Sequence, residues 1–113
     1  MKTAKAMSVT AAFEQSLAEP GRPRYGLRLY VTGMSLRSAR AIANIKEICE
    51  EKLKGRYDLQ VIDINQQPLL AKGEQIIAVP TLIKKLPPPL QRIIGDLSDR
   101  ERVLIGLDLK PKQ

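Results

Sequence analysis

A chain of 113 residues, 43% hydrophobic and 27% charged, is long enough for one domain with a real core and too short for a catalytic domain plus a separate regulatory one. One cysteine, Cys49, and no histidine exclude an intramolecular disulfide, a zinc site of the Cys/His type and any mechanism that needs a histidine base. The net charge of +7 is spread thinly: residues 1–24 and 110–113 carry +2 each, which leaves +3 on residues 25–109.

Phe13, Tyr25, Tyr30 and Tyr57 are too few and too scattered for a base-stacking platform, so nucleic acid is not an expected partner. No apolar run approaches the length needed to cross a membrane, and the lone cysteine fits a reducing, cytoplasmic setting.

In chain order, residues 1–24 read as a flexible N-terminal extension. Within it Ser8 to Leu17 can form a short amphipathic helix before the Pro20-Gly21-Arg22-Pro23 breaker. Tyr25, Leu27, Leu29 and Val31 alternate with Gly26, Arg28 and Tyr30, which predicts a strand with one buried face, ended by Gly33. Ser35 or Ser38 can cap the helix that follows. Its apolar positions Ala39, Ile42, Ile45, Ile48, Cys49 and Leu53 recur at three- and four-residue steps until Gly55 supplies a left-handed stop. A second strand runs from Tyr57 to Ile64. Strand, helix and strand at these lengths predict a right-handed βαβ unit with parallel strands. Pro68 to Lys72 reads as one or two helical turns closed by Gly73. Pro80 makes the run from Ile76 to Leu86 either an edge strand or a strand that begins just after the proline.

The last segment carries two patterns at once. As a helix, Ser98 and Glu101 form a capping box with Asp99 in the first turn, and Val103, Leu104 and Leu107 share a face. As a strand, Val103, Ile105, Leu107 and Leu109 alternate with Leu104, Gly106 and Asp108. Gly106 and Asp108 hold the helical pattern back. A glycine inside a helix costs roughly 1 kcal/mol relative to alanine, and an acid at a helix C-terminus opposes the helix dipole.

No catalytic pattern competes with this feature. Ala78-Val79-Pro80-Thr81-Leu82, following a βαβ unit, looks like the strand start of thioredoxin-like domains, where the proline is cis and faces the active site. The redox position, Thr32-Gly33-Met34-Ser35-Leu36-Arg37-Ser38, has no cysteine. Cys49 falls on the apolar stripe of the first helix, as a small buried hydrophobe does. Gly33 and Gly95 belong to no phosphate-cradling motif. Asp63, Asp96 and Asp99 each have a simpler part as strand-end, turn and first-turn residues. Pro87-Pro88-Pro89 reads either as a stiff connector or as X-Pro bonds that differ in isomer between two states, with Pro80 a further candidate.

The runs LRLYVTG, YDLQVIDI, AVPTL, LPPPLQRIIGDLSDRE and VLIGLDL, spread from Leu27 to Leu109, closely resemble the KaiB family of circadian clock proteins. The resemblance implies an α/β fold with a thioredoxin-like βαβ N-terminal half and a C-terminal half that switches fold. Residues 25–109 would be the KaiB-like domain, and residues 110–113 a basic tail. It further implies a non-enzymatic protein without cofactors, resting as a homo-oligomer (tetramer or dimer) and binding the ring of a KaiC-type ATPase after a slow change of fold. KaiA or a clock histidine kinase are further partners the family implies. Carried over by position, Arg40, Tyr57, Asp58, Gln60 and Arg92 match partner-binding regions. Tyr25, Gly106 and Asp108 match positions tied to the fold balance, to which the residues themselves add Pro80, Pro87, Pro88 and Pro89. Gln60, Gln75 and Gln91 stand where cyanobacterial members tend to be basic, and Leu36 replaces a frequent proline. These departures imply a divergent or non-cyanobacterial homologue that works with KaiC alone. Two other classes remain: a thioredoxin-like redox or thiol-binding protein, and a detached KaiC-binding sensor module.

Overall fold

The computed structural model describes residues 23–33 and 35–110. The expectations for residues 1–22 and for most of the basic tail, 111–113, lie outside the described residues. Strand β1 (Tyr25–Val31), helix α1 (Leu36–Lys52) and strand β2 (Tyr57–Asp63) form the βαβ unit, with β1 and β2 parallel from Tyr25↔Tyr57 to Val31↔Asp63. Helix α2 (Pro68–Gly73) leads to strands β3 (Thr81–Leu86) and β4 (Gln91–Ile94) and helix α3 (Arg100–Gly106). The sheet runs β2-β1-β3-β4, with β3 antiparallel to both β1 and β4.

The first half follows the sequence pattern, except that Ala39 of the expected apolar stripe is exposed and Ala41 is the alanine in the core. Ser35 caps α1 by accepting the Ser38 N–H at 3.1 Å, while the Ser38 hydroxyl accepts from the Thr32 N–H at 3.0 Å and ties the helix start to the end of β1. The stripe of α1 buries Ala41, Ile45, Ile48 and Cys49 against Leu27, Leu29 and Val31. Each such isoleucine or leucine contributes about 1.5–3 kcal/mol. Gly55, at φ +76°, turns the chain into β2, and Arg56 N–H bonds back to Leu53 O at 2.8 Å.

Strand β1 departs from the expected single buried face. It lies between β2 and β3, and Tyr30 on its second face is as buried as Leu29 on the first. The cause is a second small core of Tyr30, Ile62 and Ile83, covered by Ala71 of α2 and by Ile76 and Val79. For Pro80, the alternative of a strand starting immediately afterwards holds. Strand β3 begins at Thr81 and is an inner strand, and the Val79–Pro80 bond is cis.

In this form residues 100–106 are helical, and the alternating strand pattern of residues 103–109 is not used. Val103 and Leu107 are fully buried, with Leu104 packed partly beside them, as the helical face predicts. The cap differs from the expected Ser98/Glu101 box. Asp99 is the capping residue and accepts the Arg102 N–H at 3.2 Å, while the Ser98 N–H, which a capping box would give to Glu101, is bonded to Asp96 Oδ1 at 3.1 Å. The two helix-opposing residues also find room. Gly106 is the last helical residue, and Asp108 lies past the cap with φ +60°, its carboxylate turned to Lys84.

Candidate partner-binding surface

The position that carries thiols in thioredoxins is occupied here by Thr32, Gly33, Ser35 and Leu36. The one thiol, Cys49, has no exposed surface, and burial, with Glu50 beside it, pushes its pKa up to about 12. A nucleophilic thiolate needs the opposite environment. Chemistry at this end of the sheet is therefore not supplied by the chain's own cysteine.

The five expected partner-binding residues fall into separate groups. Gln60 and Arg92 sit on opposite edge strands yet in one cross-strand row, Gln60–Arg28–Ile83–Arg92, on one face of the sheet. Gln60 Oε1 accepts from Arg28 Nε at 3.0 Å, and Arg28 Nη1 reaches Glu74 Oε2 at 3.1 Å. Lys85 Nζ binds the same carboxylate oxygen, and Arg92 Nη2 donates to the Glu74 carbonyl at 2.7 Å. Asp58 is two residues along β2 from Gln60 and shares its face.

Tyr57 points to the other face, where its hydroxyl donates to Glu50 Oε2 at 2.6 Å. That bond, then burial and the glutamate's charge, raise the phenol to about 12. Arg40 is exposed near the start of α1, roughly 15 Å along the helix from Glu50 at 1.5 Å per residue. Neither Arg40 nor Tyr57 joins the Gln60–Arg92 row.

Arg28 lies within that row, Glu74 and Lys85 are bonded beside it, and pattern reading singled out none of the three. The signal was present for Arg28, a cation inside an otherwise apolar strand. Glu74 gave none, since a lone acid after a short helix resembles any surface residue.

The expected fold-balance residues fall mostly at one end of the sheet, each held by a neighbour outside the set, and Pro80 stands apart from them. Tyr25 Oη donates to Leu107 O at 2.8 Å in a buried bond, and Lys84 Nζ, with no exposed surface, lies 2.8 Å from Asp108 Oδ2. Burial, with Asp108 adding to it and Arg56 opposing, raises the Tyr25 pKa. Gly106 lies so close to Ile93 that a Cβ on it would stand 2.6 Å from Ile93 Cδ1. Pro87, Pro88 and Pro89 form the β3–β4 connection at the Tyr25 end of the sheet, with Leu86–Pro87 and Pro88–Pro89 cis. Pro80 lies at the far end of β3.

The model of the KaiB domain matches residues 28–109. The chain belongs to the KaiB family. It is 57% identical over 89 residues to the circadian clock protein KaiB3 of Synechocystis sp., covering 79% of this chain and 87% of the relative. A circadian clock oscillator protein KaiB of Prochlorococcus marinus is 59% identical over 88 residues, covering 78% and 82%. Among solved structures, the N-terminal domain of Synechococcus elongatus SasA superposes with a TM-score of 0.63 at 24% identity, covering 80% of this chain and 89% of that domain. Chloroplastic thioredoxin z gives 0.64 at 18% identity, covering 86% and 88%. These likenesses establish a thioredoxin-like fold for this KaiB-family chain. No helix among the described residues is long and apolar enough to cross a membrane.

Proposed function

We propose that this KaiB-family chain is a non-enzymatic clock or timer regulator in the cytoplasm, which binds the ring of a KaiC-type ATPase in the thioredoxin-like form and modulates its phosphorylation state. The observation that carries this reading is the state of the C-terminal segment. Residues 100–106 are helical, yet the stretch to Leu109 also carries a strand period, and beside the buried Val103 and Leu107 the helix is tied down by the Tyr25–Leu107 bond and by the Lys84–Asp108 and Arg100–Glu51 ion pairs. A segment with two adequate patterns suits a change of fold in which Tyr25, Gly106, Asp108 and the prolines Pro80 and Pro87 to Pro89 set the balance.

The resting state in this reading is a homo-oligomer, tetramer or dimer, in which the C-terminal half is arranged differently. If the competent form is a minor population, apparent affinity falls in proportion to its fraction, and assembly waits for conversion. Delay is then the contribution to timekeeping. Arg40, Tyr57, Asp58, Gln60 and Arg92 are the proposed contacts, with KaiA or a clock histidine kinase as further partners.

The test is to mix the protein with a KaiC-type ATPase of the same genome and ATP and to follow complex size over hours. The expected result is slow growth of a ring-sized complex; no complex at any time would sink the reading. The redox alternative requires insulin reduction or a mixed disulfide at Cys49, and the burial of that thiol stands against it.

A further inference from the structure

The first turn of α1 has no acidic residue, although the N-terminus of a 17-residue helix favours negative charge. It carries Arg37 instead, with Arg40 one turn on, so cations stand where the helix dipole opposes them. Arg37 also lines a cleft that α1 forms with the β4–α3 loop, and Arg102 of α3 lines the same cleft.

The carboxylates of that cleft are already engaged. Asp96 accepts the Ser98 N–H and Asp99 accepts the Arg102 N–H, both as local turn and cap bonds. The Asp96 carboxyl is held below its ordinary range by those Ser98 bonds and then by Arg37 and Arg40. The guanidinium groups of Arg37, Arg40 and Arg102 are exposed and have no hydrogen-bonded or ion-paired acceptor among the described residues. Forked donors without acceptors, placed against the helix dipole around a concave surface, contribute little to the fold and are suited to receiving an anion.

We propose that this cleft receives an acidic segment of the partner protein, with Arg37 and Arg102 as the recognition pair and Arg40 at the rim. The inference rests on the reading of the chain as a partner-binding protein and adds a second contact region to it, apart from the Gln60–Arg92 row. Planar guanidinium forks match single carboxylates bidentately. Asp96 and Asp99 on the cleft wall leave room for a few spaced charges and not for a continuous run of them, and the chain has no aromatic platform for bases, so separate carboxylates on a protein chain are the fitting ligand.

The probe is the intact KaiC-type ATPase, with equilibrium affinity measured at low and at physiological salt. The variant Arg37→Gln/Arg102→Gln is compared with Lys46→Gln/Lys54→Gln, which removes the same two charges from exposed positions outside the cleft. Circular dichroism checks that both retain the fold. The expected result is an affinity loss of roughly tenfold or more for the arginine variant, with a shallower salt dependence, and a loss within about twofold for the lysine variant. Equal losses in the two variants would reduce the effect to overall charge and overturn the inference. So would an arginine variant that binds like wild type, while leaving the proposed function standing. Absence of binding by the wild-type protein would remove the proposed function and this inference together.

Discussion

Lys84 Nζ, sealed from solvent, sits 2.8 Å from Asp108 Oδ2, on a carboxylate whose side chain is about half exposed. The pair joins the inner strand β3 to the chain just past α3. Removing only the acid leaves a buried ammonium without its anion, whereas removing both charges does not.

A double-mutant cycle follows from that geometry. Asp108→Asn is expected to destabilise the helical form by about 1–2 kcal/mol, a discount from the fully buried case because Asp108 is partly solvated. In a Lys84→Met background the same change should cost a few tenths of a kcal/mol, roughly the level of an ordinary surface substitution. Urea denaturation of the four proteins measures the coupling; additive losses would show that the pair does not act as a unit.

Gly106→Ala should gain less for the helix than the roughly 1 kcal/mol that propensity alone gives. The new Cβ meets Ile93 Cδ1 at 2.6 Å and Cγ1 at 3.0 Å. Because Cδ1 is the far end of a flexible side chain, the contact is relieved by rotation or by trimming. Ile93→Val should therefore couple favourably with Gly106→Ala. NMR populations of the form with residues 100–106 helical would report it, and strict additivity would contradict it.

Asp99→Ala should cost about 1 kcal/mol as the loss of a helix cap, while Ser98→Ala should stay within about 0.5 kcal/mol. Hydrogen exchange of the Arg102 and Val103 amides separates the two. Equal effects would restore the Ser98/Glu101 box in place of the observed cap.

Stability should fall at alkaline pH in two stages. The Cys49 thiol, ordinarily near 9, is raised to about 12 in the fold, and the Tyr57 phenol is raised from 10 to about 12. Above pH 9 the unfolded thiol loses its proton while the folded one keeps it, so the unfolded state gains and stability declines; above pH 10 tyrosine adds to the slope. Cys49→Ala should flatten the decline that starts at 9, and Tyr57→Phe the part that starts at 10. An unchanged profile in both variants would show that these groups titrate normally.

Much of the fold was legible because its signals are local. The period-two run of Tyr25 to Val31, the apolar stripe of α1, the stop at Gly55 and the strand start after Pro80 each depend on a few neighbouring residues. The cap of α3 slipped by one residue because Ser98 and Asp99 are both competent caps, and the bond that gives the Ser98 N–H to Asp96 and not to Glu101 belongs to the preceding turn. The Gln60–Arg92 row was illegible for a different reason. It depends on the register of three strand pairs, and register is settled by tertiary packing. The burial of Lys84 was hidden likewise, since the anion that makes it tolerable lies 24 residues away.

The bond from Tyr25 to Leu107 spans 82 positions of the chain and brings the first residue of β1 to the residue that caps the C-terminus of α3. The two ends of the described domain are thus neighbours in space. Fluorophores attached at Arg24 and Lys110 would sit within energy-transfer range in this form and report, in real time and in one cuvette, when the C-terminal segment leaves.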